Sequence, residues 1–298
     1  MRIFGSFLEC GEWRGFELRD YMFFIILRGH FWMMERFIKL YNLIYNMSKK
    51  DEILQQWKKD EKAPFEGWDF SYLEGRYNEG NTNWNYKSTA KRLIKKSNSV
   101  LDMATGGGEA FSEILSAFKP KKAIAIEGYK PNVSVARKNL RKCGVKVIYA
   151  NETKKLPFNK GEFDFVLNRH GGFNVNELAR IISSRGLFFT QQIDGRNLKD
   201  LMKEFRAKPK WEFNTLSNVT KNLKEVGFEI VDAKEWEGKT IFKDVGALVY
   251  FLKAIPWIVD DFNVNKHLQV LKKLQKRLEK KGRFEFTARR FLILARKK

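Results

Sequence analysis

The sequence predicts an α/β fold built on a doubly wound, mostly parallel sheet, and three observations carry the prediction. Val100, Leu101 and Met103 form a short apolar run of the kind that a buried parallel strand shows; the turn Gly106, Gly107, Gly108 follows, and then Phe111, Ile114, Leu115 and Phe118 recur at helical spacing. A second buried strand is expected at 123–126, with Glu127 at its carboxyl end and Pro131 opening the next helix. Towards the end of the chain, residues 219–242 read as a helix, Gly227 and a strand, and 283–298 as a final strand.

The chain has 298 residues, 43% of them hydrophobic, which is enough for a large buried core and excludes disorder as its main description. Lys and Arg number 57 against 35 Asp and Glu, a formal charge of +22 that brings RNA, phosphorylated metabolites and acidic membrane into view as partners. Asn, Ile, Phe, Tyr and above all Lys are abundant throughout, so an A/T-rich coding bias accounts for the basicity as well as a functional basic face does. Two cysteines, Cys10 and Cys143, and three histidines cannot build a disulfide framework or a zinc site of the usual ligand count. A cytoplasmic protein without a structural metal is expected.

Three regions are expected. Residues 1–46 hold six basic and five acidic groups, so nearly all the charge, +21, falls on 47–298. The longest uncharged apolar run of this first region, 21–27, is too short to span a bilayer and lacks the flanks of a signal peptide. It reads as a loosely attached extension from an upstream start that is not the natural one; the competing reading is an interfacial amphipathic helix with Phe23, Phe24, Ile25, Ile26, Phe31, Trp32, Met33 and Phe37 on its apolar side. Residues 47–97, opening at Met47, form a helical and aromatic arm. Residues 98–298 form the main domain, with a helical insertion at about 243–282 that contains an apolar helix broken by Pro256 and an amphipathic helix carrying Leu268, Leu271, Leu274 and Leu278.

The glycine turn lets the backbone pass close to a nucleotide-like ligand, since a Cβ at Gly106 or Gly108 would intrude. Glu127 lies 19 residues after Gly108, where a nucleotide-binding βαβ unit places the acid that accepts the ribose hydroxyls. A dinucleotide fingerprint requires a third glycine where this chain has Phe111. The pattern present, Asp102 followed by Gly106 and Gly108, instead resembles motif I of the class I S-adenosylmethionine-dependent methyltransferases. The resemblance continues through 145–149 and 163–167 as third and fourth strands, and the elements Leu156-Pro157-Phe158 and Phe163-Asp164 are like those of the type 11 group, which includes quinone-biosynthesis methyltransferases.

This resemblance implies a Rossmann-like, seven-stranded sheet with an antiparallel C-terminal hairpin, residues 182–193 as the fifth strand, and S-adenosylmethionine as cofactor. It implies a cofactor site of Asp102, Ala104, Thr105, Gly106, Gly108, Glu127 and Gly128, with Asn151 or Glu152 at the adenine and Asn168 and Arg169 at the cofactor's edge. Ala104 stands where the family commonly has a first glycine, a substitution that is tolerable if its φ stays negative. Any one of these glycines alone would serve a tight turn equally well.

By analogy with the family, the arm and insertion cover the mouth of the site. That makes Trp68, Phe70, Tyr72, Arg76, Trp84, Tyr86, Tyr250, Pro256 and Trp257 pocket candidates, against the plainer reading that these side chains pack the covering segments onto the sheet. No residue is marked as a catalyst; His170, just after the fourth strand, is the best placed if a general base is needed. The segment Asn168-Arg169-His170-Gly171 lacks the motif of adenine-N6 DNA methylation. Three functions are compatible with these residues: methylation of a small molecule, favoured by the aromatic caps; methylation of RNA, suggested by basic stretches at 91–96 and 137–142 and by Arg206, Lys208 and Lys210; and a non-catalytic binding protein that keeps the fold, of which Ala104 would be an early sign.

Overall fold

The computed structural model describes residues 31–65 and 68–298, which fall into two compact units, Met1–Lys58 and Lys59–Lys298. The expectations for 1–30, including the apolar run at 21–27, lie outside the described residues, as do the side chains of Phe31, Trp32, Met33 and Phe37. The described part of the first unit is helical, belonging to α1 (Phe31–Lys62), so the chain is already helical where Met47 was expected to open a new segment. Ile38, Leu40, Tyr41, Leu43, Ile44 and Tyr45 are exposed and spread around this helix rather than gathered in a stripe.

The second unit is built on one eight-stranded sheet: β1 (Tyr77–Glu79), β2 (Ser99–Met103), β3 (Lys122–Glu127), β4 (Lys146–Tyr149), β5 (Phe163–Arg169), β6 (Ile182–Ile193), β7 (Phe228–Phe242) and β8 (Phe284–Lys297). Its order is β1-β7-β8-β6-β5-β2-β3-β4. The five strands from β4 to β6 pair in parallel, while β8, β7 and β1 join antiparallel. The expected hairpin of the last two strands is present, and the sheet has one strand more than the seven expected. That strand, β1, comes from the aromatic arm and pairs Tyr77 with Phe242 on the outer side of β7.

Both faces of the parallel half are covered, as a doubly wound sheet requires. Leu101 and Met103 of β2 face one core with Leu178 and Ile181 of α5 (Val175–Ile181) and Val219 and Leu223 of α7 (Leu216–Glu225). Val100 faces the other, with Ala90 and Ile94 of α2 (Tyr86–Ile94), Phe111 and Ile114 of α3 (Glu109–Leu115) and Ala136 and Leu140 of α4 (Lys130–Leu140). A short helix, α6 (Lys199–Glu204), follows β6. Local chemistry sets several helix starts: Asn85 Oδ1 accepts from Ser88 N at 2.9 Å at the head of α2, and Asn174 and Thr215 cap α5 and α7 in the same way. The insertion contains the two expected helices, α8 (Val245–Ala254) and α9 (Leu268–Lys281), with Pro256 just beyond α8 and Leu271 and Leu274 as the buried residues of α9.

Candidate active site

The carboxyl edge of the parallel strands collects most of the residues that the sequence singles out. From β2 the chain turns through 104–108 into α3, and three bonds hold that turn. Thr105 N donates to Ile126 O at 3.0 Å, Gly108 N to Thr105 O at 3.0 Å, and Gly106 N to Glu127 Oε2 at 2.7 Å. Asn139 on α4 adds a fourth, its Nδ2 donating to Gly107 O at 2.9 Å. Gly106 and Gly108 take φ of +63° and +85°, where a side chain would strain the backbone. The steric reason for Gly108 differs from the one expected: a Cβ there would lie 2.7 Å from Leu140 Cγ, so this glycine brings α3 close to α4 rather than clearing space for a ligand.

Ala104 departs from expectation too. Its φ is +56°, in the left-handed region, a backbone geometry that glycine adopts more readily than alanine. The compensation lies across the cleft: Gly171, whose own φ is not left-handed, packs so closely that a Cβ on it would stand 2.3 Å from Ala104 Cβ. Gly171→Ala should therefore destabilise the fold by about 1–3 kcal/mol through overpacking, and Ala104→Gly should both relieve strain and rescue that variant. Melting curves of the two single variants and the double variant test this; strict additivity would dissociate the pair.

Three acids meet at this edge. Asp102 is 7% exposed, and burial pushes its carboxyl from the usual 3.8 up to about 7. Glu127 is buried at the end of β3, which raises its carboxyl, while the N–H groups of Tyr129, at 2.8 Å from Oε1, and of Gly106 draw it back down. Glu152 is half-buried and raised by the same desolvation. A Cβ on Gly128 would lie 2.8 Å from Glu152 Oε2, so glycine admits that carboxylate beside the end of β3. Of the pair Asn151 and Glu152, only the glutamate takes this position. Asn151 is exposed, and its Oδ1 closes a local turn by accepting from Thr153 N at 2.9 Å and Thr153 Oγ1 at 2.6 Å.

At the end of β5, Asn168 was expected to line the ligand's edge, but its side chain is fully buried and serves the sheet. Nδ2 donates to Met103 O at 3.2 Å, and Oδ1 accepts from Thr190 Oγ1 at 3.1 Å and from Gln192 Nε2. The amide thus pins the ends of β2, β5 and β6 together. Arg169 is exposed, its guanidinium 6.0 Å from the centroid of the Tyr86 ring.

His170 has φ +61°, donates its backbone N–H to Gln191 O at 2.8 Å, and sets its Nε2 2.8 Å from Gln191 Nε2. The residue reaches solvent, yet the protein packed around it and the charge of Arg169 push its pKa down to about 3. Both effects favour the neutral ring, which makes it a weaker proton acceptor than a free imidazole. Gln191 and Gln192 were not singled out from the sequence; the signal was Thr190-Gln191-Gln192, a polar run closing an apolar strand at a carboxyl edge.

Residues 101–188 match the family described as Methyltransferase domain. Similar solved structures include a candidate methyltransferase from Bacillus halodurans, at 18% identity and a TM-score of 0.52, covering 70% of this chain and 97% of that one. Another is the YcgJ protein of Bacillus subtilis, at 15% identity and a TM-score of 0.49, covering 72% and 98%. No curated protein matches the sequence.

In the segments around residues 101–188, several of the expected pocket residues are engaged with other side chains. Arg76 donates to Asp244 Oδ1 at 2.7 Å and Oδ2 at 2.9 Å and to Asp60 Oδ1 at 3.0 Å, while Asp244 also caps α8 by accepting from Ala247 N at 2.7 Å. Tyr72 donates to Asp60 Oδ1 at 2.8 Å and stacks on Tyr250 at 4.5 Å, and Tyr250 is buried with its hydroxyl on Pro64 O. Tyr86 is buried under the sheet edge, stacked on Phe189 at 4.8 Å. In these four the polar atoms or rings engage other side chains or the backbone, tying the arm to α8 and to the sheet.

Trp68 and Trp257 form a second group, and Trp68 lies beside the glycine turn. Trp68 is 43% exposed, and its Cδ1 would be 3.4 Å from a Cβ on Gly106. Its ring is 5.6 Å from that of Trp257, which is 6.2 Å from Trp211, a residue that the sequence reading missed and that is 50% exposed. Trp84 donates from Nε1 to Gln191 Oε1 at 2.7 Å. Among the described residues no helix is long and apolar enough to cross a membrane, and no three His, Cys, Asp or Glu side chains gather as metal ligands.

Proposed function

We propose that the chain is a cytoplasmic S-adenosylmethionine-dependent methyltransferase acting on a small molecule. The observation that carries the reading is the bond from Gly106 N to Glu127 Oε2 beside the buried Asp102, which ties the glycine turn to the acid at the next strand end. The residues suit this cofactor: three carboxylates around one turn favour a ligand bearing cationic groups and sugar hydroxyls. Asp102, Glu127 and Glu152 would hold it. When bound, it supplies a methyl group already activated on a sulfonium. The chain's own part is to orient the acceptor in line and to exclude water, without a committed proton acceptor. Trp68, Trp211 and Trp257 supply an aromatic wall beside Gly106, which favours a compact acceptor over an open nucleic-acid groove.

Two measurements test the reading. S-adenosylmethionine or its demethylated product should raise the melting temperature; no shift at saturating ligand would instead favour a non-catalytic scaffold. Labelled S-adenosylmethionine, added to a cell extract divided into RNA, protein and metabolites, should leave its methyl group in the metabolites; label in RNA would replace the small-molecule reading.

Asp102 gives the site a pH dependence. A carboxyl raised to about 7 binds its proton more tightly in the folded chain, so its contribution to stability is present below 3.8 and is lost as pH rises through about 7. A cationic ligand favours the ionised form, so affinity should rise across about pH 6–8 with release of a proton. Calorimetry in buffers of different ionisation enthalpy reads that proton directly, and Asp102→Asn should abolish it.

A further inference from the structure

Trp84, Gln191 and His170 form a hydrogen-bonded line at the carboxyl edge of the sheet, and the chemistry of its first member fixes the state of its last. An indole N–H can only donate, so the 2.7 Å contact from Trp84 Nε1 makes Gln191 Oε1 an acceptor. The other end of that amide, Nε2, can only donate, and its partner at 2.8 Å is Nε2 of His170. His170 Nε2 must therefore offer a lone pair, which leaves the proton of the neutral ring on Nδ1. The backbone reinforces the arrangement through the bond from His170 N to Gln191 O, and the next residue, Gly171, packs against Ala104. Nδ1 makes no hydrogen bond among the described residues, and the residue is exposed to solvent.

We propose that His170 is a fixed hydrogen-bond donor, set through Gln191 by Trp84, and that its Nδ1–H selects a substrate carrying a carbonyl or carboxylate oxygen near the atom to be methylated. The selection rests on the methyltransferase reading; the ring's tautomer does not. Gln191 and Trp84 are positioning residues, and they act only through the imidazole.

Nitrogen NMR of the full chain labelled at histidine tests the tautomer without any turnover. The chain has three histidines, His30, His170 and His267, and His170→Asn identifies the signals of interest. Nδ1 should resonate as a protonated, pyrrole-type nitrogen and Nε2 as a pyridine-type one, with no titration near neutrality. The opposite assignment, or titration at the ordinary histidine value, would overturn the proposal. Gln191→Glu places an acceptor on both neighbours and should move the proton of the neutral ring from Nδ1 to Nε2; a spectrum unchanged by it would show that Gln191 does not set the tautomer. Acetate serves as the carboxylate probe. It should shift the Nδ1 proton downfield in the wild type and not in Gln191→Glu, whereas tetramethylammonium, which has no acceptor, should leave it in place. Absence of an acetate shift removes the selectivity even where the tautomer is as expected, and neither result depends on whether S-adenosylmethionine binds.

Discussion

Arg76→Ala is expected to lower the stability of the domain by about 3–5 kcal/mol, because it strips the fully buried Asp60 carboxylate of its guanidinium partner. The same substitution releases Asp244, which anchors the first turn of α8 as well as accepting two bonds from Arg76. The arm and the insertion are thus joined at one side chain, and both should loosen together. Thermal unfolding followed by tryptophan fluorescence should show the midpoint falling by on the order of 10 °C. Asp60→Asn removes the buried charge while keeping an acceptor, and should cost much less. Equal losses in the two variants would show that packing of the Arg76 stem, rather than the ion pair, holds the arm. Gly246 belongs to the same junction: a Cβ there would stand 2.0 Å from Asp60 Oδ2, so α8 can approach the pair only with glycine at that position.

Glu127→Ala should weaken binding of S-adenosylmethionine by about 1–3 kcal/mol, roughly 5- to 150-fold in dissociation constant. Two losses contribute. One is the acceptor expected for the sugar hydroxyls; the other is the support of the glycine turn, since Glu127 accepts from Gly106 N and Tyr129 N in the structure. Glu127→Gln keeps one carbonyl oxygen and so one of these two bonds: it should lose less melting temperature than Glu127→Ala while still losing the charge-assisted part of the affinity. Calorimetric titration of both variants measures the difference, and an unaltered affinity in Glu127→Ala would remove this residue from the cofactor site.

The parallel half of the sheet was legible in the sequence because its strands are short apolar runs buried on both faces, closed by punctuation that has a physical cause. Gly106 and Gly108, Glu127 and Pro131 each mark a backbone change that few other residues permit. The same chemistry made the acids at the carboxyl edge legible as a group. What the sequence concealed was pairing between distant segments. Tyr77 to Glu79 carries no strand signal of its own and becomes β1 only because β7 offers a partner. Arg76 and Tyr72 resemble pocket residues by type, and only the position of Asp60 assigns them to an anchor. Trp211 stands alone in sequence and joins Trp257 through the fold. Ala104 stands where the resembling family commonly has glycine, but its left-handed φ was not legible, since it depends on how the ends of β3 and β5 hold the turn.

The extra strand also bears on association. β7 runs from Phe228 to Phe242, and β1 pairs with only its last three residues, so the rest of that margin presents backbone donors and acceptors with no strand beside them among the described residues. Such a margin could take up a strand from another chain. Glu229, Asp232, Lys234, Glu235, Glu237 and Lys239 occupy it in dense succession, and an incoming strand would have to bury or match them. The short strand therefore covers the end of the margin where Thr240, Ile241 and Phe242 carry no charge, and the charged remainder defends itself against edge-to-edge growth.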